Sequence, residues 1–166
     1  MQWSQLKIQL KDRIAASVAG MIDFHQTRYR HSHDQEGEFW ITLGKEQIFS
    51  AGSLSYLSTL SDVVASHRAN GATVAQAYQQ AWPDMDTQGL MLLEAINKDL
   101  FSSLGMTVEE MREHRNPVVR ALAIVDTRYG RRRLAAFDPA TEHSLVRRFF
   151  HLRCEAERIR RPAPPP

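Results

Sequence analysis

The dipeptide Gly44-Lys45 constrains the fold of this chain more than any other feature. It separates Glu38-Phe39-Trp40-Ile41-Thr42-Leu43 from Glu46-Gln47-Ile48-Phe49, two short β-forming runs. A two-residue link with Gly first is what a type II′ turn requires, because that position needs a positive φ that glycine adopts without strain. The two runs are therefore expected to fold back as an antiparallel hairpin. Counting outward from the turn sets Trp40 opposite Phe49 on one face, and Ile41 opposite Ile48 on the other. Both faces would then carry large apolar groups. One is expected to pack on the helical part of the chain, the other on the first helix or on a second copy of the protein.

The rest of the chain changes period around this ribbon. Leu6, Leu10, Ile14 and Val18 recur every four residues behind Ser4, which predicts a helix ending near Gly20. Residues 21–31 contain neither Gly nor Pro and predict a strand, with Ile22 and Phe24 on one side and His25, Thr27 and Tyr29 on the other. From Ser53 the spacing is helical, beginning with the stripe Leu54, Leu57, Leu60 and Val64. Thr73 with Gln76, and Thr107 with Glu110, read as capping boxes, and Asn116-Pro117 as a cap followed by Pro at the first helical position. Leu145, Phe149, Leu152, Ala156 and Ile159 predict a long last helix. The expectation is one α+β domain over residues 1–161. A small antiparallel ribbon or sheet (residues 21–50) would pack with an N-terminal helix and a mostly helical C-terminal body, ahead of a Pro-rich tail at 162–166.

Several function classes drop out. At 166 residues and 43% hydrophobic, the chain can bury a core. No apolar run approaches the ~20 residues of a membrane span. The N-terminus lacks the basic-then-apolar order of a signal peptide, so the cytoplasm is expected. There is no Gly-rich phosphate loop, no G-x-S-x-G elbow, no paired Cys and no H-E-x-x-H, so no cofactor and no catalytic residue is expected. A restriction-type nuclease needs an acidic-x-Lys triplet on the ribbon, but Leu43 precedes Lys45 by two. Cys154, one place off the apolar stripe of the last helix and between Arg153 and Glu155, reads as a structural thiol.

Charge is unevenly spread. Residues 112–166 hold 13 of the 21 basic residues, all Arg, and 6 of the 19 acidic ones, leaving that third at +7 and the remainder at −5. Arg128, Arg131, Arg132 and Arg133 surround Tyr129 and Gly130 behind an apolar helix. Such cations suit a helix C-terminus with paired carboxylates nearby. Equally, guanidinium groups and a Tyr ring suit a phosphate backbone or unstacked bases. On the first strand, Arg28, Tyr29 and Arg30 beside Trp40 read either as a rigid sheet face or as a platform for an anionic or flat ligand. His31, His33 and Asp34 have a spacing that suits a divalent metal, and equally a solvated loop.

Two stretches carry a resemblance. Trp3-Ser4-x-Leu6-Lys7, Thr27-Arg28-Tyr29-Arg30 and His33-Asp34-x-x-Gly37-x-x-Trp40-Ile41-Thr42 resemble the N-terminal part of a family of uncharacterised bacterial conserved hypothetical proteins. Asn116-Pro117 through Leu134, with Arg153-Cys154-Glu155-Ala156, is similar to their C-terminal part. The resemblance implies a bacterial cytoplasmic protein and transfers no activity or site residue. The residues themselves point first to a non-enzymatic interaction or regulatory module, partnered by another protein or by itself as a homodimer. Nucleic-acid binding through the Arg-rich third is the alternative, and a metal-dependent hydrolase at His31, His33 and Asp34 a third.

Overall fold

A computed structural model describes residues 2–29 and 36–159. Helix α1 (Trp3–Asp12) buries Leu6 and Leu10, as their spacing predicts, but stops short of Gly20. Ile14 and Val18 are still buried. They arrive by a different backbone path: the Ala15 amide donates to the Val125 carbonyl at 2.8 Å and the Thr127 amide to that of Arg13 at 2.7 Å. Ile14 thus forms a β-bridge with Asp126. The helix gives way where a long-range pairing takes over its backbone groups.

Strands β1 (Ile22–Arg28), β2 (Gly37–Leu43) and β3 (Glu46–Gly52) make an antiparallel sheet in the order β1-β2-β3. Gly44 has φ of 56° and Lys45 is not positive, the pattern of a type II′ turn. Near the turn the pairing is the expected one, Leu43 with Glu46 and Thr42 with Gln47. Then a bulge intervenes, and Ile41 pairs with Phe49 and Trp40 with Ser50. The extra residue, Ile48, lets two successive side chains, Ile48 and Phe49, both pack on the core.

That one residue corrects the expected two-faced ribbon. Ile22, Phe24, Phe39, Ile41 and Ala51 lie on one face and are buried. The other face carries Asp23, His25, Glu38, Trp40, Thr42 and Ser50. Among the described residues it is polar apart from Trp40, so the large apolar groups of the ribbon are gathered on one face.

Behind the apolar face stand α4 (Leu93–Ser103), α5 (Val108–Arg112), α6 (Pro117–Val125), α7 (Arg131–Ala136) and α8 (Ser144–Ala156). Eight of the nine residues of α6 are buried, Arg120 excepted, so this helix is enclosed on all sides. Asn116 holds its start. Its Oδ1 accepts from the Val118 amide at 2.9 Å, while its Nδ2 donates to the buried Asp99 carboxylate of α4 at 3.0 Å. His143 caps α8 by accepting from the Leu145 amide at 3.1 Å. Burial, reinforced by the Arg120 charge, lowers the His143 pKa and so favours the neutral ring that the cap needs. Helices α2 (Ser53–Ala69) and α3 (Val74–Thr87) pack on each other around a small core of their own, Val64, Ala77 and Ala81. Among the described residues no helix is long and apolar enough to cross a membrane.

Replacing Asn116→Ala removes the α6 cap and strands the Asp99 carboxylate. The expected cost is about 2–4 kcal/mol in urea unfolding; a loss below about 1 kcal/mol would show that the Asn116 amide is dispensable there.

Candidate functional site

The polar face of the sheet is organised by Asp23. Its Oδ1 accepts from Lys7 at 2.9 Å and Lys11 at 3.2 Å, both on α1, and from the Phe24 amide at 2.9 Å. Burial alone would raise the Asp23 pKa, but these donors outweigh it and hold the carboxyl down at about 2. The cluster fastens α1 to the edge of the sheet. Next to it the His25 ring stacks on Trp40, with centroids 5.2 Å apart and planes 10° from parallel. His25 Nε2 also shares a hydrogen bond with Thr42 Oγ1 at 3.1 Å.

Arg28 does not join that stack. It pairs with Gly37, three positions from the His25–Trp40 pair, and strand alternation sends it to the opposite face. Tyr29 lies just past β1, its amide donating to the Glu36 carbonyl at 2.8 Å. The expected cation-on-tryptophan platform is therefore replaced by an imidazole-on-indole pair. Arg30, His31, His33 and Asp34 lie outside the described residues. Among the described residues no group of three or more His, Cys, Asp or Glu is placed to hold a metal ion.

The arginine-rich segment is largely turned to internal work. Arg128 grips the buried Asp126 carboxylate with Nε at 2.9 Å and Nη2 at 2.7 Å, and donates to the Met106 carbonyl at 3.0 Å. The hydrogen bond to Asp126 raises the Arg128 pKa further above its ordinary value. Arg133 pairs with Glu109, Arg148 with Glu46, and Arg120 with Glu142. Arg153 is buried, donating to the carbonyls of Ile124 and Asp126 at 2.6 and 2.8 Å. Tyr129 is also buried, its hydroxyl accepting from Arg112 at 3.3 Å. It is therefore no open stacking platform. Nor do the arginines all close a helix C-terminus: Arg131, Arg132 and Arg133 form the first turn of α7. Arg131 and Arg132 are exposed and have no ionic partner among the described residues. A cleft of about 300 Å³ opens beside Tyr129. Of the charges lining it, Arg133 pairs with Glu109 and Arg112 lies over the Phe137 ring at 4.6 Å, with Glu113 beside them.

The unsatisfied apolar surface lies instead on α2 and α3. Glu38 of β2 anchors the start of α2. Its Oε1 accepts from the Leu54 and Ser55 amides at 2.7 and 3.1 Å, and its Oε2 from Ser55 Oγ at 3.0 Å. Thr73 and Gln76 form the expected capping box on α3. Ala77, Ala81 and Met85 are the buried stripe of that helix. Displaced by one residue, hence about 100° around the helix, Val74, Tyr78 and Trp82 form a second stripe, exposed by 52%, 43% and 54%. On α2, Val64 is buried but Leu54 and Leu57 of the same stripe are open. The α2 stripe continues beyond what α3 covers.

Over residues 2–154 the chain matches the model of the SF0329 protein family. It belongs to that family. The match runs from α1 through most of α8, so the sheet, the helix pair and the enclosed α6 all fall within it. No curated protein and no solved structure matches the chain. Within this SF0329 protein, the exposed set on α3 is a functional candidate that reading for core stripes passes over. Its signal is present in the text: Val74, Tyr78 and Trp82 recur every four residues beside a parallel run of Ala77, Ala81 and Met85.

The lowered Asp23 pKa carries a pH dependence. Its contribution to stability is present above the unfolded value near 3.8 and is lost as pH falls toward about 2. The carboxylate is 37% exposed, so solvent screening limits the loss to about 1 kcal/mol at most. Chemical unfolding between pH 5 and 2 (~0.5-unit steps) should show an acid loss in the parent that Asp23→Asn lacks. Identical profiles would contradict the Lys7–Asp23–Lys11 fastening.

Proposed function

We propose that this SF0329 protein is a cytoplasmic, non-enzymatic interaction and regulatory module that self-associates through α2 and α3. The observation that carries the reading is the exposed stripe Val74, Tyr78 and Trp82, with Leu54 and Leu57 open on the neighbouring helix. Between them the two helices fully bury Val64, Ala77 and Ala81, with Leu60, Val63 and Ala72 half-buried around these three, and leave the larger side chains Leu54, Leu57, Tyr78 and Trp82 open. Covering each half-exposed side chain is worth on the order of 1 kcal/mol. A second copy supplies that cover most simply. Two such pairs meeting stripe to stripe about a two-fold axis form a four-helix arrangement in which each completes the other. This moves the self-association surface away from the ribbon.

A second reading, nucleic-acid binding, is favoured by Arg131 and Arg132, the adjacent exposed cations that no carboxylate occupies among the described residues.

Two measurements test these readings. Light scattering at tens of micromolar should give a dimer for the parent and a monomer for Trp82→Glu, whose exposed position leaves the fold intact. A monomeric parent, or a dimer indifferent to the variant, contradicts the self-association reading. Fluorescence anisotropy with labelled DNA and RNA should show, on the second reading, binding that weakens steeply between ~50 and ~200 mM salt and is lost in Arg131→Glu/Arg132→Glu. Binding unchanged in that variant overturns it.

A further inference from the structure

We propose that His143 is an acid-released latch that holds the end of α3 against the starts of α6 and α8. Its half-buried ring has a neighbour on each side. Nδ1 accepts from the Leu145 amide at 3.1 Å, which caps α8. The same ring hydrogen-bonds to the backbone of Gln88, the C-cap residue of α3. Phe49 of β3 stands edge-on to it, with centroids 6.4 Å apart and planes at 77°. Just past Gln88, Gly89 has φ of 71° and α3 closes, the Leu90 amide donating to the Met85 carbonyl at 2.9 Å. A Cβ at Gly89 would stand 2.5 Å from Pro117 Cγ and 3.5 Å from Phe49 Cζ, so this turn lies against the first residue of α6. One imidazole therefore ties a helix end to a helix start.

Only the neutral ring can serve both neighbours, one nitrogen accepting and the other donating. The imidazolium carries N–H on both nitrogens, so the Leu145 amide would face a donor instead of a lone pair. It would also place a full positive charge at the positive end of the α8 dipole. The charged groups around the ring do not relieve this. Arg120 of α6 and Arg147 of α8 add like charge, and Glu142, which opposes them, is already held by Arg120 Nε at 3.2 Å. Gln88 and Phe49 bring no charge from α3 and β3. Burial first, and then Arg120, hold the His143 pKa below its ordinary 6.5. The contribution of the neutral ring is therefore complete above 6.5 and is lost as pH falls through the lowered folded value. In acid the ring gains by turning out to water, and it then leaves Gln88 as well as Leu145. The Asp86–Arg115 pair, exposed and 3.7 Å apart, is a weak substitute for that tie. The helix pair α2 and α3 is thus fastened to the body near neutral pH and loosened in acid, whatever its oligomeric state.

The test is amide hydrogen exchange of the full chain from about pH 8 to about pH 5, read as protection factors so that the intrinsic pH dependence of exchange cancels. As pH falls, the Leu145 and Leu90 amides should lose protection together, several-fold, with a common midpoint below 6.5. In His143→Asn the side chain accepts the Leu145 amide at every pH in the range, and neither amide should show that step. Titration of the His143 ring, followed by NMR in the parent, should give the same midpoint without any substitution. Loss at Leu145 alone overturns the proposal, because His143 is then a cap and not a latch. So does a step that persists in His143→Asn, a ring that titrates at or above 6.5, or protection that stays constant across the range.

Discussion

At Asp126, three stretches of chain that are distant in sequence meet: the end of α1, the end of α6 and the last helix. Its backbone bridges to Ile14, its carbonyl accepts from Arg153, both its carboxylate oxygens accept from one edge of the Arg128 guanidinium, and it closes the C-terminus of α6. The residue is 2% exposed. A buried carboxylate is tolerable only when its charge is paired and its lone pairs are filled, and Arg128 does both. The end of α1, the enclosed helix α6 and the last helix α8 are held in one arrangement by that pairing. Arg13 extends it by donating to the carbonyls of Ser103 and Leu104 at the end of α4.

This arrangement changes the meaning of the arginine-rich third. Its charge excess looks, along the chain, like a basic surface. In three dimensions the acids of the rest of the chain come to meet it: Glu109 to Arg133, Glu46 to Arg148, Asp86 to Arg115. Exposed pairs of this kind contribute little to stability singly, but they neutralise the segregation of charge within one fold. Function is then sought where the fold leaves something unsatisfied. One place stands out: the half-covered helix pair α2 and α3.

Much of the fold was legible because local chemistry and tertiary structure agree. Gly44-Lys45 turns as glycine requires, Thr73–Gln76 and Thr107–Glu110 form their boxes, and Asn116-Pro117 starts α6. The misses come from pairings between residues far apart. No local rule places a bulge at Ile48, and its consequence, a polar second face, follows from register alone. The stripe Leu6, Leu10, Ile14, Val18 marks buried positions correctly, yet the helix ends early because Arg13 and Ala15 pair with the end of α6. The candidate sites were less legible still. Tyr129 reads as a recognition ring in sequence and is buried in the fold, while Trp82, which reading for core stripes does not single out, stands in the open. Which side of a helix is covered depends on a partner element, and Ala77 and Ala81 rather than the aromatic residues took that role.

The central claim is that Trp82 is covered by a second copy of the chain. Trp3 and Trp40 are the other two tryptophans, so Trp3→Phe/Trp40→Phe leaves Trp82 as the only indole emitter. Its emission, followed by dilution from tens of micromolar to tens of nanomolar, reports that cover directly. The account predicts a blue-shifted maximum at high concentration that moves to the solvent-exposed position along a dimer dissociation curve. A solvent-exposed maximum at every concentration would contradict it.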